Sequence, residues 1–365
     1  MAPAAASREE VSRLISIVIP TYNERDNIPV LLERLKRALN DRGIEYEVII
    51  VDDNSPDGTA EVARQLSKVH PVKVVRRPGK LGLSSAVLDG VKVAEGEYIV
   101  VMDADLQHPP EVIPKMIEAA ERGCDIVVAS RYVPGGSVGN WSTVRKLISK
   151  GAILLAHILL PQSRNVKDPM SGFFLFRREV LEQARNLNPR GFKILLEILV
   201  KGRYSKVCEV PFKFGTRFKG ESKLSSKEIL NYVLHLLELS PSFIRFAIVG
   251  GTGTFVNLGV LSLCRYVIGL PHAVAAPIAI EASVINNFVL NDRWTFKHSR
   301  VGSWVTRLLK FHVSSAVGVL TQLAVSLGVY YEAGLHESVV AQIIGIIAGF
   351  VLNYLISRRF VWRER

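Results

Sequence analysis

Cysteine is scarce in this 365-residue chain: Cys124, Cys208 and Cys264 stand far apart, with no CxxC pair. No zinc spacing and no disulfide framework follow from them, so each reads as a small apolar residue. GxGxxG and GxxxxGK[ST] are missing as well, which argues against a dinucleotide-binding or P-loop enzyme. The opening stretch MAPAAASREEVSR holds no apolar core. No cleaved signal peptide is expected there, and the catalytic part is expected to stay in the cytoplasm. Acidic residues are outnumbered, 34 against 46 Lys+Arg, for a formal net charge of +12. Such a balance suits nucleic acid, anionic membrane surfaces or phosphorylated substrates. Long apolar runs are absent from the first 240 residues and begin near Phe243, so the 48% hydrophobic content is concentrated in the last third.

In the charged part, apolar runs alternate with helical patterns. LISIVIP (14–20), YEVIIVDD, VKVVRR, EYIVVMDADL and DIVVAS read as strands. The segment after Pro20 places Ile28, Leu31, Leu32 and Leu35 on one helical face, and further helices start at Thr59 and at Ser84. Alternation of this kind predicts an α/β domain on a mostly parallel sheet. Ligands of such sheets bind beyond the carboxyl ends of the strands. Polar residues gather there four times: Tyr22, Asn23 and Glu24; Asp52 and Asp53; Asp103 and Asp105; and Arg131.

The run IVVMDADLQHPPE (99–111) ends a buried strand on two carboxylates one residue apart. A lone Asp-x-Asp is a weak pattern, since Asp also caps turns. Two carboxylates on this edge also suit a hard divalent cation held against a diphosphate, with Gln107 or His108 as a further ligand.

Seven segments, IVIPTYNERDNI, VIIVDDNSPDGT, RPGKLGLSSAVLDG, MDADLQHPPEVIP, VVASRY, DPMSGFFLFRREV and EVPFKFGTRFKGESKL, together resemble the dolichyl-phosphate mannosyltransferases, inverting family 2 glycosyltransferases with a GT-A (Rossmann-like) fold. The likeness runs in unbroken order from about Leu14 to Leu224. It implies a nucleotide pocket at Pro20, Tyr22, Glu24, Val51 and Asp53. It places Asp103, Ala104, Asp105 and Gln107 at the sugar diphosphate, with Asp103, Asp105 and Gln107 around Mg²⁺ or Mn²⁺. Arg217 and Lys223 match a loop over the diphosphate. The implied partners are GDP-mannose, dolichyl phosphate and the bilayer, with no nucleic acid and no obligatory protein partner. UDP-glucose is the alternative donor, because the shared motifs do not read base or sugar. A lipid-carrier flippase is the alternative of another class, opposed by the full set of nucleotide and phosphate residues. A processive polysaccharide synthase needs a QxxRW motif, absent here.

A lipid phosphate has a second pKa of about 6 and is already a nucleophilic anion near neutrality, so no general base is required. Cations must instead bring two phosphate groups together. Arg131, with Asp105 the expected catalytic pair, is assigned to the acceptor phosphate with Arg145 and Ser149, four apart on one helical face. Asp168 of DPMSG is either a turn cap or a direct participant.

Residues 143–160 and 226–240 form amphipathic helices whose stripes suit either a core or a membrane interface. Their basic neighbours Arg145, Lys146, Lys150, Lys223 and Lys227 favour the interface. Four apolar stretches follow, near 244–270, 273–290, 308–331 and 339–356, each close to the ~20 residues that span a bilayer. Arg and Lys avoid the connections near 270 and 335, which predicts a cytoplasmic catalytic domain and cytoplasmic termini. FAIVGG at 246 aligns with FHVSSA at 311, and NNFVLNDRWTF with LNYLISRRFVW, so the spans form two repeated pairs. This part resembles a small four-helix membrane family found beside polyprenyl-phosphate glycosyltransferases. Glu281, inside a span, is either a transport residue or a paired packing residue. The expected layout is a glycosyltransferase domain at 1–225, an interfacial helix at 226–240 and a membrane domain at 241–365.

Overall fold

The computed structural model describes residues 14–182, 184, 187, 193–215, 226–331 and 338–364. The chain folds as two compact units, Met1–Leu239 and Ser240–Arg365.

The first unit runs β1 (Ile15–Thr21), α1 (Asn27–Asn40), β2 (Tyr46–Asp52), α2 (Thr59–Leu66), β3 (Val72–Arg76), α3 (Leu83–Val93), β4 (Tyr98–Val101), α4 (Ile113–Glu121), β5 (Ile126–Ser130), α5 (Thr143–Leu159), β6 (Phe174–Arg177), α6 (Glu179–Glu182), α7 (Ile194–Lys201), β7 (Val207–Pro211) and α8 (Ser226–Leu239). The strands form one sheet in the order β3-β2-β1-β4-β6-β5-β7. β1, β2, β3 and β4 pair in parallel, as do β5 and β7, while β6 runs antiparallel between β4 and β5. The period-2 alternation of the strands fills two cores. Ile15, Ile17, Ile19, Val48 and Ile50 face α1 and α4, whereas Val18, Ile49 and Val51 face α3 and α7. Burial on both faces explains the near-continuous apolar runs.

One expectation fails. Cys124 and Cys208 are not two isolated apolar residues but a disulfide, with Cα atoms 6.0 Å apart. The parallel pairing of β5 with β7 sets Cys208 opposite Val127, a register that a separation of 84 residues conceals. Cys264 is free and buried, as expected.

α5 turns its apolar side outward: Leu147 is 72% exposed, Leu154 60% and Ile158 56%, with Ile153, Ala156 and Leu159 buried beneath. α8 packs against it, the Tyr232 hydroxyl donating to the Ala152 carbonyl at 2.7 Å while Ile229, Leu230 and Leu234 stay exposed.

The second unit contains α9 (Ser242–Ser262), α10 (His272–Leu290), α11 (Trp304–Tyr331) and α12 (Ser338–Ile356). With their flanking π turns these give four helices long and apolar enough to cross a membrane. α9 packs on α10, and α11 on α12. The repeat read from the sequence is visible in the packing. A Cβ on Gly253 would lie 2.3 Å from Asn287 Oδ1, and one on Gly318 2.8 Å from Asn353 Cβ. The copies meet where the equivalent rings of Phe296 and Trp362 stack at 4.4 Å. Glu281 is paired with His312 at 3.0 Å.

Candidate active site

The carboxyl ends of β1, β2 and β4 carry a band of unusual backbone. Asn23, Asn54 and Leu106 all have positive φ, at 61°, 56° and 66°. Asn tolerates the left-handed region, but Leu there is strained by about 1–3 kcal/mol, a cost that recurs at functional sites. Leu106 sits between Asp105 and Gln107, so the strained residue sets the aim of both.

Around it the turn is closely tied. The Asp105 Oδ1 accepts the Gln107 amide at 3.1 Å. Gln107 and Gly215 exchange bonds, Gly215 N–H to the Gln107 carbonyl at 3.0 Å and Gln107 Nε2 to the Gly215 carbonyl at 3.2 Å. His108 is not available as a ligand. Its Nδ1 accepts the Asp103 amide at 3.0 Å, and its ring stacks on Phe173 at 5.2 Å. Burial pulls its pKa down to about 4, as an imidazole whose Nδ1 is an acceptor requires.

The donors expected around a cation are all oxygen: the Asp103 and Asp105 carboxylates and the Gln107 side-chain carbonyl. That chemistry fits Mg²⁺ or Mn²⁺. Gly172 supports the fit, because a Cβ there would stand 3.5 Å from Asp103 Oδ2 and 3.3 Å from the His108 ring, narrowing the space. Among the described residues no three His, Cys, Asp or Glu side chains converge on one point. Two carboxylates alone leave coordination positions for diphosphate oxygens.

The nucleotide residues expected from the sequence occupy the same edge. Pro20 and Val51 stand one residue before the ends of β1 and β2, directly paired. Glu24 Oε2 accepts the Asn27 side-chain amide at 2.5 Å, and Ala104 is buried between the two acidic residues. Asp53 is more occupied than expected: it takes Arg77 Nη1 at 2.6 Å and the Gly82 amide at 3.0 Å. Tyr22 carries an ammonium over its ring, Lys80 Nζ at 4.0 Å. Arg217 and Lys223 lie outside the described residues.

Arg131, Arg145 and Ser149 do come together, around an aromatic group that the sequence did not announce. Trp141 receives the Arg145 guanidinium at 4.1 Å and that of Arg131 at 5.2 Å, with Phe214 edge-on at 5.4 Å. Tyr132 donates its hydroxyl to Ser149 Oγ at 2.8 Å. Ser142 caps α5 and accepts the Arg145 amide at 3.3 Å, fixing the first turn that carries Arg145.

The role given to Arg131 needs revision. Asp168, fully buried, takes Arg131 Nε and Nη2, each at 2.8 Å, and the Arg131 backbone amide at 3.0 Å. Burial alone lowers the Arg131 pKa, but the Asp168 hydrogen bonds and charge outweigh it, and the net direction is up. Arg131 is therefore half of a neutral pair, and only Nη1 lies outside these bonds. Asp168 is thus the counter-ion to Arg131, a partnership that neither reading of the sequence named.

This geometry has known counterparts. A family model described as glycosyl transferase family 2 matches residues 16–185, and one described as GtrA/DPMS, transmembrane domain, matches 245–362. A dolichol-phosphate mannosyltransferase of Pyrococcus furiosus is 50% identical over 354 residues, 95% of this chain and 99% of that protein. The chain belongs to the dolichol-phosphate mannosyltransferase family. Proteins of the same description from Saccharomyces cerevisiae and Mycosarcoma maydis are 42% and 40% identical, each over 61% of this chain and 86% and 78% of their own lengths. Membership of this family, with its matching transmembrane domain, makes the second unit a membrane domain.

Proposed function

We propose that the chain transfers mannose from GDP-mannose to dolichyl phosphate with inversion, releasing GDP. The observation that carries this reading is the 50% identity to a dolichol-phosphate mannosyltransferase across both units. In one displacement, a non-bridging oxygen of the lipid phosphate bonds to the anomeric carbon as the bond to the GDP oxygen breaks. The incoming dianion loses a charge as its oxygen becomes a bridge, and GDP leaves with the electron pair, so no proton need move.

Pro20, Tyr22, Glu24, Val51 and Asp53 are assigned to the nucleotide, with Arg217 and Lys223 to its diphosphate. Asp103, Ala104, Asp105 and Gln107 are assigned to the sugar diphosphate. A divalent cation held by Asp103, Asp105 and Gln107 would neutralise charge on the departing diphosphate. Arg145, fixed on Trp141, supplies positive charge for the acceptor phosphate. Arg131 adds the Nη1 donor and Ser149 a neutral hydroxyl. The exposed apolar residues of α5 and α8, with Lys146 and Lys150, are assigned to the membrane surface, with the catalytic unit and both termini in the cytoplasm.

The deciding assay supplies purified chain with GDP-mannose or UDP-glucose and polyprenyl phosphates of different saturation. Transfer from UDP-glucose alone would overturn the donor assignment. Two further outcomes are expected. Arg145→Ala and Trp141→Ala should each raise KM for lipid phosphate about tenfold with GDP binding unchanged, whereas Ser149→Ala, losing one neutral hydrogen bond, should cost only about 1 kcal/mol. Steady-state kinetics against acceptor concentration, with calorimetric GDP binding alongside, checks this. A chain ended at Leu239, the last residue of the first unit, should still transfer mannose to detergent-solubilised acceptor. Loss of transfer in a truncated chain that still binds GDP would place part of the acceptor site in the spans.

A further inference from the structure

The membrane unit contains an open pocket of about 270 Å³ between its two helix pairs, lined by Asn257, Asn287, Gln322, Asn353, Ser283 and Ser315 among others. No charged side chain lines it. The four amides come in repeat-related pairs, Asn257 with Gln322 and Asn287 with Asn353, by the sequence alignment of the two copies.

Their hydrogen bonds are incomplete. The Asn353 Oδ1 accepts Ser314 and Ser357 hydroxyls at 2.8 and 3.2 Å, and the Asn287 Oδ1 accepts Asn286 Nδ2 at 3.4 Å. Among the described residues, the side-chain nitrogens of Asn287 and Asn353 take part in no hydrogen bond, and neither do the side-chain amides of Asn257 and Gln322. In a bilayer an amide without a partner costs several kcal/mol, with no bulk water to relieve it. Two amides without a partner, and two more bonded only through their oxygens, surround one hollow and call for a polar occupant. The uncharged lining selects a neutral one. The volume lies just below the ~300–1,000 Å³ of drug-sized sites, the scale of a single sugar ring rather than a nucleotide.

We propose that this pocket binds a neutral polyhydroxylated ring, the hexosyl group of the glycolipid product, with the anionic phosphodiester of that product lying outside the uncharged lining. The chemical class follows from the lining, and the choice of mannose rests on the function proposed above. Amide groups suit a sugar because each offers both a donor and an acceptor to hydroxyls that are themselves both.

The test uses the full chain in phosphatidylcholine nanodiscs. The probe is an alkyl β-mannoside carrying a diazirine in its chain, and the control is an alkyl phosphate with the same diazirine. Saturable labelling of α10 and α12 peptides by the mannoside, and not by the phosphate, is expected. Asn287→Leu and Asn353→Leu should each weaken that labelling about fivefold, the worth of one neutral hydrogen bond, while Asn257→Leu and Gln322→Leu, which break no hydrogen bond in the empty chain, leave its melting temperature the same or higher. Asn257→Leu and Gln322→Leu repeat the measurement if either variant fails to fold. Equal labelling by the phosphate, no saturable labelling, or affinity unchanged in the variants would overturn the proposal. A fall in melting temperature with unchanged affinity would show that the amides only join helices. Transfer from GDP-mannose is assayed in the same discs. Transfer without pocket labelling overturns the pocket alone, and labelling without transfer overturns the catalytic reading alone.

Discussion

Asp105→Ala is expected to lower kcat/KM for mannosyl transfer by about 10²–10³, the usual effect of removing one pre-organised electrostatic partner at a reacting group. EDTA should lower wild-type transfer similarly, with recovery on adding Mg²⁺ or Mn²⁺. Asp105 has two jobs to separate, since its Oδ1 also accepts the Gln107 amide at 3.1 Å and so closes the turn. Asp105→Asn resolves them: its side-chain carbonyl can still cap the turn, but the charge is gone. If charge is the point, Asn behaves like Ala. If the turn is the point, Asn keeps most of the activity. Leu106 adds a control, because its positive φ of 66° would suit Gly. Leu106→Gly should keep donor binding measurable while loosening the turn. Full activity of Asp105→Ala in metal-free buffer would remove the cation from the mechanism.

The strand ends were readable because their chemistry is local. A buried parallel strand must be apolar along its length and must stop where ligands bind, so VIIVDD and VVMDAD announce both facts in a few residues. The four spans were equally plain, since bilayer thickness sets their length. What stayed hidden depends on register. The Cys124–Cys208 bond is made by two neighbouring strands 84 residues apart in sequence. Trp141 lies in a segment without helical or strand period, so nothing local marked it as the plate beneath Arg145. The antiparallel course of β6 was not legible, yet the residues just upstream of it set Phe173 beside His108 and Gly172 beside Asp103. Asp168 was visible as a residue but not as a partner, because its carboxylate meets an arginine 37 positions earlier.

That pairing supports the second large effect. Arg131 and Asp168 are 8% and 0% exposed at their side chains, so removing either strands a buried charge. Breaking such a pair from one side typically costs about 3–5 kcal/mol, far more than the pair is worth against an apolar replacement. Arg131→Met and Asp168→Leu are therefore each expected to lower unfolding stability by about that amount, and to lower transfer as well. Stability alone does not separate a scaffold from a phosphate ligand; a double-mutant cycle does. With both residues replaced, Arg131→Met with Asp168→Leu, no charge is stranded, and most of the lost stability should return. Transfer should not return with it, because Nη1 is gone and the acceptor phosphate has lost a donor beside Trp141. Denaturant unfolding of the four chains gives the coupling energy, and transfer at saturating GDP-mannose gives the catalytic half. Recovery of both stability and transfer in the double variant would make Arg131 a structural residue and leave the acceptor phosphate to Arg145.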